Sequence, residues 1–470
     1  MKRDFLRSFF AATMGGALLL GKPLFAAVPQ PAAPEVYVPP DAERVVLSNG
    51  VVVFLYENHE LPLFDINIRF KASPADEVPA HSFGLLDDVW REGGTKSLSP
   101  DALDEKLESL AAGIDTGADT DGVSVTLACL SRDMETSLDL WTDVMLNPAF
   151  DAGRLAIAKG QAVEALRRKN ETPNQVGRRA FRDVIYGPNH IYASDPLPED
   201  INRISRADLI AIHKRVVAPQ TAIIAAAGDF NKKELIAGLE RRFAHWPRNQ
   251  RVAPAYDYSV SSAAVGSVFL VEKDFSQSRV SIGRLGLNRY SPDRYACEVA
   301  DYILGGGGPS RLFGEIRSRR GLAYSVGSFM QLPTGTGMVG VISQTRAGAT
   351  IAVIDAILAE MKRFSSEPVT PEELDLAKAS MVNAMVFGYD LPIKIASAHA
   401  NLEFYGYDPD ELKISPRKLL AVTREDVLRM GKKYYDPAGT KILVVGDPKK
   451  FDGSLDKFGK VEKIPLDSIR

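Results

Sequence analysis

Apolar and polar positions alternate with period two in several stretches. Phe64, Ile66, Ile68 and Phe70 give Phe64–Phe70 one buried face, and Val123, Val125 and Leu127 do the same for Val123–Leu130. Val45–Leu55 carries Asn49-Gly50 in its middle and predicts a strand hairpin. Elsewhere the period lengthens to that of helices, at about 82–91, over 132–146 and over 152–169. Ser99 is placed to cap a further helix whose first position is Pro100. Strands and helices are thus mixed along the chain.

The pattern then repeats itself. Ile204–Asp208 is followed by Pro219 and by Gly228-Asp229; Val422–Asp426 is followed by Pro437 and by Gly446-Asp447, every matched pair 218 residues apart. Ser205 with Asp208 and Thr423 with Asp426 have the spacing of capping boxes, and a strand follows each helix, at Thr221–Ala227 and Thr440–Val445. Tyr186-Gly187 and Tyr405-Gly406 keep the interval to within one residue. A duplicated domain of roughly 200 residues accounts for this spacing, and a chain of 470 residues is long enough for two such cores. The boundaries expected are a domain over 43–247, a Pro- and Ser-bearing linker over 248–265, a second domain over 266–456 and a tail over 457–470.

Composition adds a compartment. Met1–Ala27 has Lys2, Arg3 and Arg7, then the apolar run Phe9–Leu20, then the small-residue site Leu24–Ala26, and reads as a signal peptide. Val28–Asp41 is rich in Pro and Ala and reads, with Ala42, as an extended linker. Export to the periplasm of a Gram-negative bacterium is expected, without stable membrane insertion once the signal is removed. The formal charge of −3, near −6 without the signal, argues against an electrostatic nucleic-acid binder. Cys129 and Cys297 are the only cysteines and lie in different halves, so a disulfide framework is not expected.

The candidate chemistry centres on Gly305–Val326. Gly305, Gly306, Gly307 and Gly308 allow a tight turn or a close backbone approach to a ligand. Ser310 is placed to cap a helix over Arg311–Arg320, Gly321 to end it, and Leu322–Phe329 to continue as a strand. Arg317 and Tyr324 stand seven residues apart across the helix end. Phosphate binding is disfavoured, because no Gly-Lys-Ser/Thr closes the glycine run.

This segment resembles the second half of the pitrilysin/insulinase metallopeptidases, and the resemblance extends over roughly Glu43–Phe451. It implies an α+β fold of two homologous α/β-sandwich halves, a duplicated pitrilysin-type domain, together forming half of a clamshell. It also implies substrate contacts from Arg317 and Tyr324, and a substrate-binding role for Gly305–Gly308.

The family's zinc motif, HxxEH on a helix of the first half, is missing. No two of the six histidines lie within five residues. Counted back from Gly94-Thr95, the motif falls on Leu85–Val89, where Leu85 and Val89 replace the two ligands and Asp88 replaces the general base. Glu164 stands within the spacing the family uses for its third ligand. One carboxylate cannot hold catalytic zinc, which takes three protein ligands; a site rebuilt from His81, Asp88 and Glu164 is the remaining possibility. The resemblance therefore implies a chain with no cofactor of its own, paired with a homologous HxxEH subunit that carries zinc, the Arg/Tyr pair acting on peptides in trans. A non-enzymatic peptide-binding or scaffold protein of the same fold is the alternative.

Overall fold

The period-two runs become strands and the capped runs become helices in the computed structural model, which describes residues 36–246, 252–260 and 267–469. The signal peptide and most of the first linker lie outside the described residues. Strands β1 (Glu43–Val46), β2 (Val52–Glu57), β3 (Leu63–Lys71), β4 (Gly113–Ala118), β5 (Gly122–Leu130) and β6 (Ala222–Gly228) form one sheet. A second sheet holds β7 (Val268–Glu272), β8 (Gln277–Leu285), β9 (Ala323–Gln331), β10 (Met338–Arg346), β11 (Lys441–Gly446) and β12 (Val461–Lys463). The first half carries helices α1 (Ser82–Trp90), α2 (Pro100–Ser109), α3 (Met134–Leu146), α4 (Ala152–Arg167), α5 (Pro173–Tyr186), α6 (Pro198–Arg203), α7 (Arg206–Val216) and α8 (Lys232–Phe243). The second carries α9 (Arg294–Asp301), α10 (Thr350–Ser366), α11 (Pro371–Ala384), α12 (Pro392–Tyr405), α13 (Glu411–Ala421) and α14 (Arg424–Met430).

The duplication is visible in the strand order. The sheets run β1-β2-β6-β3-β5-β4 and β12-β7-β11-β8-β10-β9, so five positions correspond. Strand sense corresponds too: β2 with β6 and β7 with β11 are parallel, and the pairs β6–β3, β3–β5, β5–β4 and β11–β8, β8–β10, β10–β9 are antiparallel. Both capping boxes close: Ser205 Oγ accepts from Asp208 N at 3.2 Å, and Thr423 Oγ1 from Asp426 N at 3.1 Å. The sixth, outer strands break the symmetry. β1 pairs antiparallel to β2, whereas β12 comes from the end of the chain and pairs parallel to β7. Residues expected as a tail thus complete a sheet, and Ile469 is buried beside them. Trp246, at the end of the first expected domain, belongs to the first core.

Each sheet is covered on both faces, and the two covers come from different halves. In β6, Ala222, Ile224 and Ala226 face the helices of their own half, while Ile223, Ala225 and Ala227 pack against Ala396, Ala400 and Phe404 of α12. In β11, Ile442 and Val444 face their own helices, while Leu443 and Val445 join Val176, Ala180, Phe181 and Val184 of α5. The halves therefore exchange one helix each, α5 for α12. Strands that are apolar on both faces need cover on each, and the exchange supplies the second.

His213 ties α7 to α3. Its Nε2 meets the Met145 carbonyl at 2.8 Å, and its ring lies edge-on to Trp90 and Phe150 at centroid distances of 5.1 and 5.7 Å. Burial is the main reason its pKa falls to about 4. The unfolded chain, with a histidine near 6.5, then binds a proton that the fold refuses. Stability should fall as pH drops from 6.5 towards 4, by about 1.4 kcal/mol per pH unit from this residue. The check is denaturant unfolding of wild type and His213→Leu across that range. The stability difference between them should narrow with acid; a constant difference overturns the assignment.

Candidate functional site

The helix opened by Arg311 becomes a π turn over Phe313–Arg319, closed by Arg320 N donating to Glu315 O at 3.2 Å and Leu322 N to Ile316 O at 3.0 Å. Ser310 does not cap it as expected. Only its backbone carbonyl takes part, accepting from Gly314 N, while its buried hydroxyl makes no hydrogen bond. Strand β9 follows as the outermost strand of its sheet.

Tyr324 lies in a β-bulge on that strand. Ser325 pairs with Gln344 and Ala323 with Thr345, so Tyr324 is the extra residue. Thr345 Oγ1 donates to Leu322 O at 2.6 Å and Ser343 Oγ to Ser325 O at 3.0 Å, fixing the bulge from both sides. Ala323 remains buried, and Tyr324 and Ser325 both turn outward. The Tyr324 side of β9 is therefore open, with the residue 78% exposed. Bulges of this kind re-aim a side chain at the edge of a sheet.

Arg317 reaches the same spot. Its Cζ lies 4.9 Å from the Phe313 ring centroid and 6.0 Å from that of Tyr324. Its arginine neighbours are committed: Arg311 to Glu373, and Arg319 and Arg320 to Glu315. Arg317 makes no ion pair among the described residues. An uncommitted guanidinium beside an exposed phenol can hold a carbonyl or carboxylate while the hydroxyl donates to a developing oxyanion.

The four glycines are explained first by packing. Tyr302–Gly306 continues α9 as another π turn lying against β9. A Cβ at Gly305 would sit 2.1 Å from Ser328 N, at Gly306 2.9 Å from Asp301 Oδ2, and at Gly307 2.6 Å from the Tyr302 ring. Gly308 alone faces open space. Below the turn, Asp301 is partly buried and accepts from Tyr435 OH at 2.9 Å, and Ser328 Oγ donates to its carbonyl at 2.9 Å. Burial raises the carboxyl above its usual range.

Sequence reasoning missed the anchor. Arg311, 9% exposed, donates through Nε and Nη2 to both oxygens of Glu373 at 2.6 and 2.7 Å, and lies 3.7 Å from Glu360. Glu360, 5% exposed, also accepts from Arg363 at 2.8 Å. Burial alone would raise the Glu373 carboxyl, but the Arg311 hydrogen bonds and its own cap on Thr370 N hold it below the usual range. This network fastens the first turn of the Arg317 helix to α10 and α11. The sequence hint was the capping box Thr370–Glu373; nothing in it named Arg311.

The residues at the expected metal site do not fit zinc. Leu85 and Val89 are buried in the first core. Asp88 lines an open groove of about 420 Å³ with Asp87, Asp115, Gln161 and Ile157, and its carboxyl is raised by desolvation and by Asp87. Glu164 is exposed on α4 and pairs with Arg167 at 3.6 Å; neither it nor His81 lines that groove. Among the described residues no three His, Cys, Asp or Glu side chains converge as a metal site would require. Both cysteines are buried, which pushes Cys129 up to about 11 and Cys297 higher, so neither serves as a ready thiolate.

The family model described as peptidase M16 inactive domain matches residues 203–381, the span holding the glycine run, Arg317 and Tyr324. Those residues are similar to an M16 inactive domain. The pitrilysin-type resemblance is thereby borne out, and so is the α+β fold of two six-stranded sheets. A solved peptidase M16 inactive domain from Pseudomonas fluorescens is 26% identical and superposes with a TM-score of 0.77, covering 87% of this chain and 98% of that one. The periplasmic protease PqqL from Escherichia coli, 15% identical, shares the fold with a TM-score of 0.72 over 92% of this chain and 49% of its own. An uncharacterized zinc protease of Mycobacterium leprae is 26% identical over 265 residues, and a non-peptidase homolog, YmxG, of Helicobacter pylori is 23% identical over 338. The match covers 56% of this chain and 59% of the Mycobacterium relative.

Proposed function

We propose that this M16 chain is the metal-free subunit of a two-chain zinc peptidase, presenting Arg317 and Tyr324 to peptide bound at a partner's HxxEH site. The observation that carries the reading is the pairing of an uncommitted arginine with a bulge-exposed tyrosine, in a chain whose own ligand positions are Leu85 and Val89. Zinc would reside in the partner, with this chain contributing the oxyanion donor, the substrate clamp and the open end of the glycine run at Gly308. That the fold occupies about half of the PqqL chain supports pairing with a second unit of similar size. The N-terminal export signal places the pair in the periplasm on this reading. The name of the Helicobacter relative favours a second reading, a non-enzymatic scaffold.

Peptide turnover by the reconstituted pair separates them. Tyr324→Phe removes a hydroxyl from an exposed position and should leave assembly intact. It should lower kcat by roughly a hundred- to a thousandfold, the cost of one oxyanion donor. Arg317→Ala should lower kcat/KM, with part of the loss in KM. Glu164→Gln should leave the rate unchanged. Full activity in a correctly assembled Tyr324→Phe, Arg317→Ala chain sinks the in-trans mechanism and leaves the scaffold.

A further inference from the structure

The first half holds a larger cavity, of about 800 Å³, on the helix side of its sheet between α3, α7 and the end of α8. No Asp or Glu lines it, although the chain has 60 acids to 57 bases. Four cationic side chains do: Lys96, Arg206, Lys214 and Arg242. Arg242 is neutralised by Glu135 at 3.0 Å and Asp139 at 2.7 Å. The other three have no carboxylate partner among the described residues. Arg206 is oriented by the Ala149 carbonyl at 2.7 Å and the Phe150 carbonyl at 2.8 Å, which fix its position without cancelling its charge. The Lys96 ammonium donates to the Asn147 amide oxygen, at 3.5 Å.

Cations gathered at one cavity repel one another, and no carboxylate among the described residues pairs with these three. Other arginines of the same half are paired, as Arg154 is with Asp101 and Arg91 with Asp104. Leu146, Ile210 and Trp246 give the wall an apolar part, beside the polar Thr95, Asn147, His213 and His245. Thr142 lines it as well, and its enclosed hydroxyl has no hydrogen-bond partner. The volume is that of a small-molecule site, and its lining joins an apolar part to a cationic one.

We infer that this cavity binds a small amphipathic carboxylate, its apolar body against Leu146, Ile210 and Trp246 and its carboxylate between Lys96, Lys214 and Arg206. A free organic acid and the carboxyl end of a peptide share that chemistry. The site lies in the half without Arg317 and Tyr324, and the inference stands whether or not the chain serves a peptidase.

The test is calorimetric titration of the mature chain at low salt with four probes: octanoate, octanol, a short peptide ending in a free leucine carboxylate, and the same peptide amidated. At least one acid should bind and its uncharged counterpart should not; octanoate against the peptide acid identifies the source. The Lys96→Ala, Lys214→Ala chain should bind the acid at least about tenfold more weakly, since two charge-assisted contacts are lost. Both lysines are exposed, so its melting temperature should match wild type. Lys214→Glu alone should weaken the acid too. Failure of both acids to bind at millimolar concentration, or equal binding by wild type and both variants, overturns the inference.

Discussion

Arg311→Ala is expected to cost the fold about 3–5 kcal/mol, the range for removing one partner of a buried ion pair. Arg311 spends both fork nitrogens on Glu373 and lies over the Phe364 ring at 5.4 Å. Its loss strands Glu373 beside an apolar wall and leaves buried Glu360 with Arg363 as its remaining ion-pair partner. The methylene stem is lost with the charge, so Phe364 loses packing too. Urea unfolding followed by far-UV circular dichroism measures the effect. Arg311→Lys keeps charge but not the two-pronged geometry and should fall between alanine and wild type. A change below about 1 kcal/mol for alanine would show that the network is not holding the helix. Because this network pins the first turn of the Arg317 helix, the alanine chain should also lose part of the Arg317 effect in any turnover assay.

The second large effect tests the helix exchange. Phe404 belongs to α12 in the second half but packs on the first sheet, under the Arg69 guanidinium at 4.1 Å. Phe181 belongs to α5 in the first half but packs on the second sheet, edge-on to Phe329 at 6.3 Å. Truncating either to alanine should cost about 3–5 kcal/mol, the loss for a buried phenylalanine. Trp90, Trp141 and Trp246, the chain's three tryptophans, all lie in the first core, so their emission reports that half alone. If the exchanged helices bind the halves into one cooperative unit, both variants should shift the tryptophan transition and the circular-dichroism transition together. A Phe181→Ala chain whose tryptophan transition stays in place, while part of the dichroism melts early, would show two independent domains.

The sequence alone determined what depends on near neighbours. Alternation at Phe64–Phe70 set the face of β3, Ser205 and Thr423 set the starts of two helices, and their common spacing revealed the duplication. The family resemblance, rather than any local period, singled out Arg317 and Tyr324 and placed Leu85 and Val89 where metal ligands would be. Local reading failed where the deciding contact lies far along the chain. Ala225 and Leu443 need a second cover because their strands are apolar on both faces, but nothing in those strands says that α12 and α5 provide it. Ser310 has the residue type of a cap, yet burial turns its hydroxyl away from that role. The glycine run reads as a ligand loop, while the backbone of Ser328, a strand away, is what forbids a side chain at Gly305. The bulge at Tyr324 comes from pairing with β10, and the charge of the large cavity from Lys96 meeting Arg206 and Lys214, which lie more than a hundred residues further along the chain. Periods and caps are written in intervals of a few residues; packing partners and shared cavities are chosen only when distant segments meet.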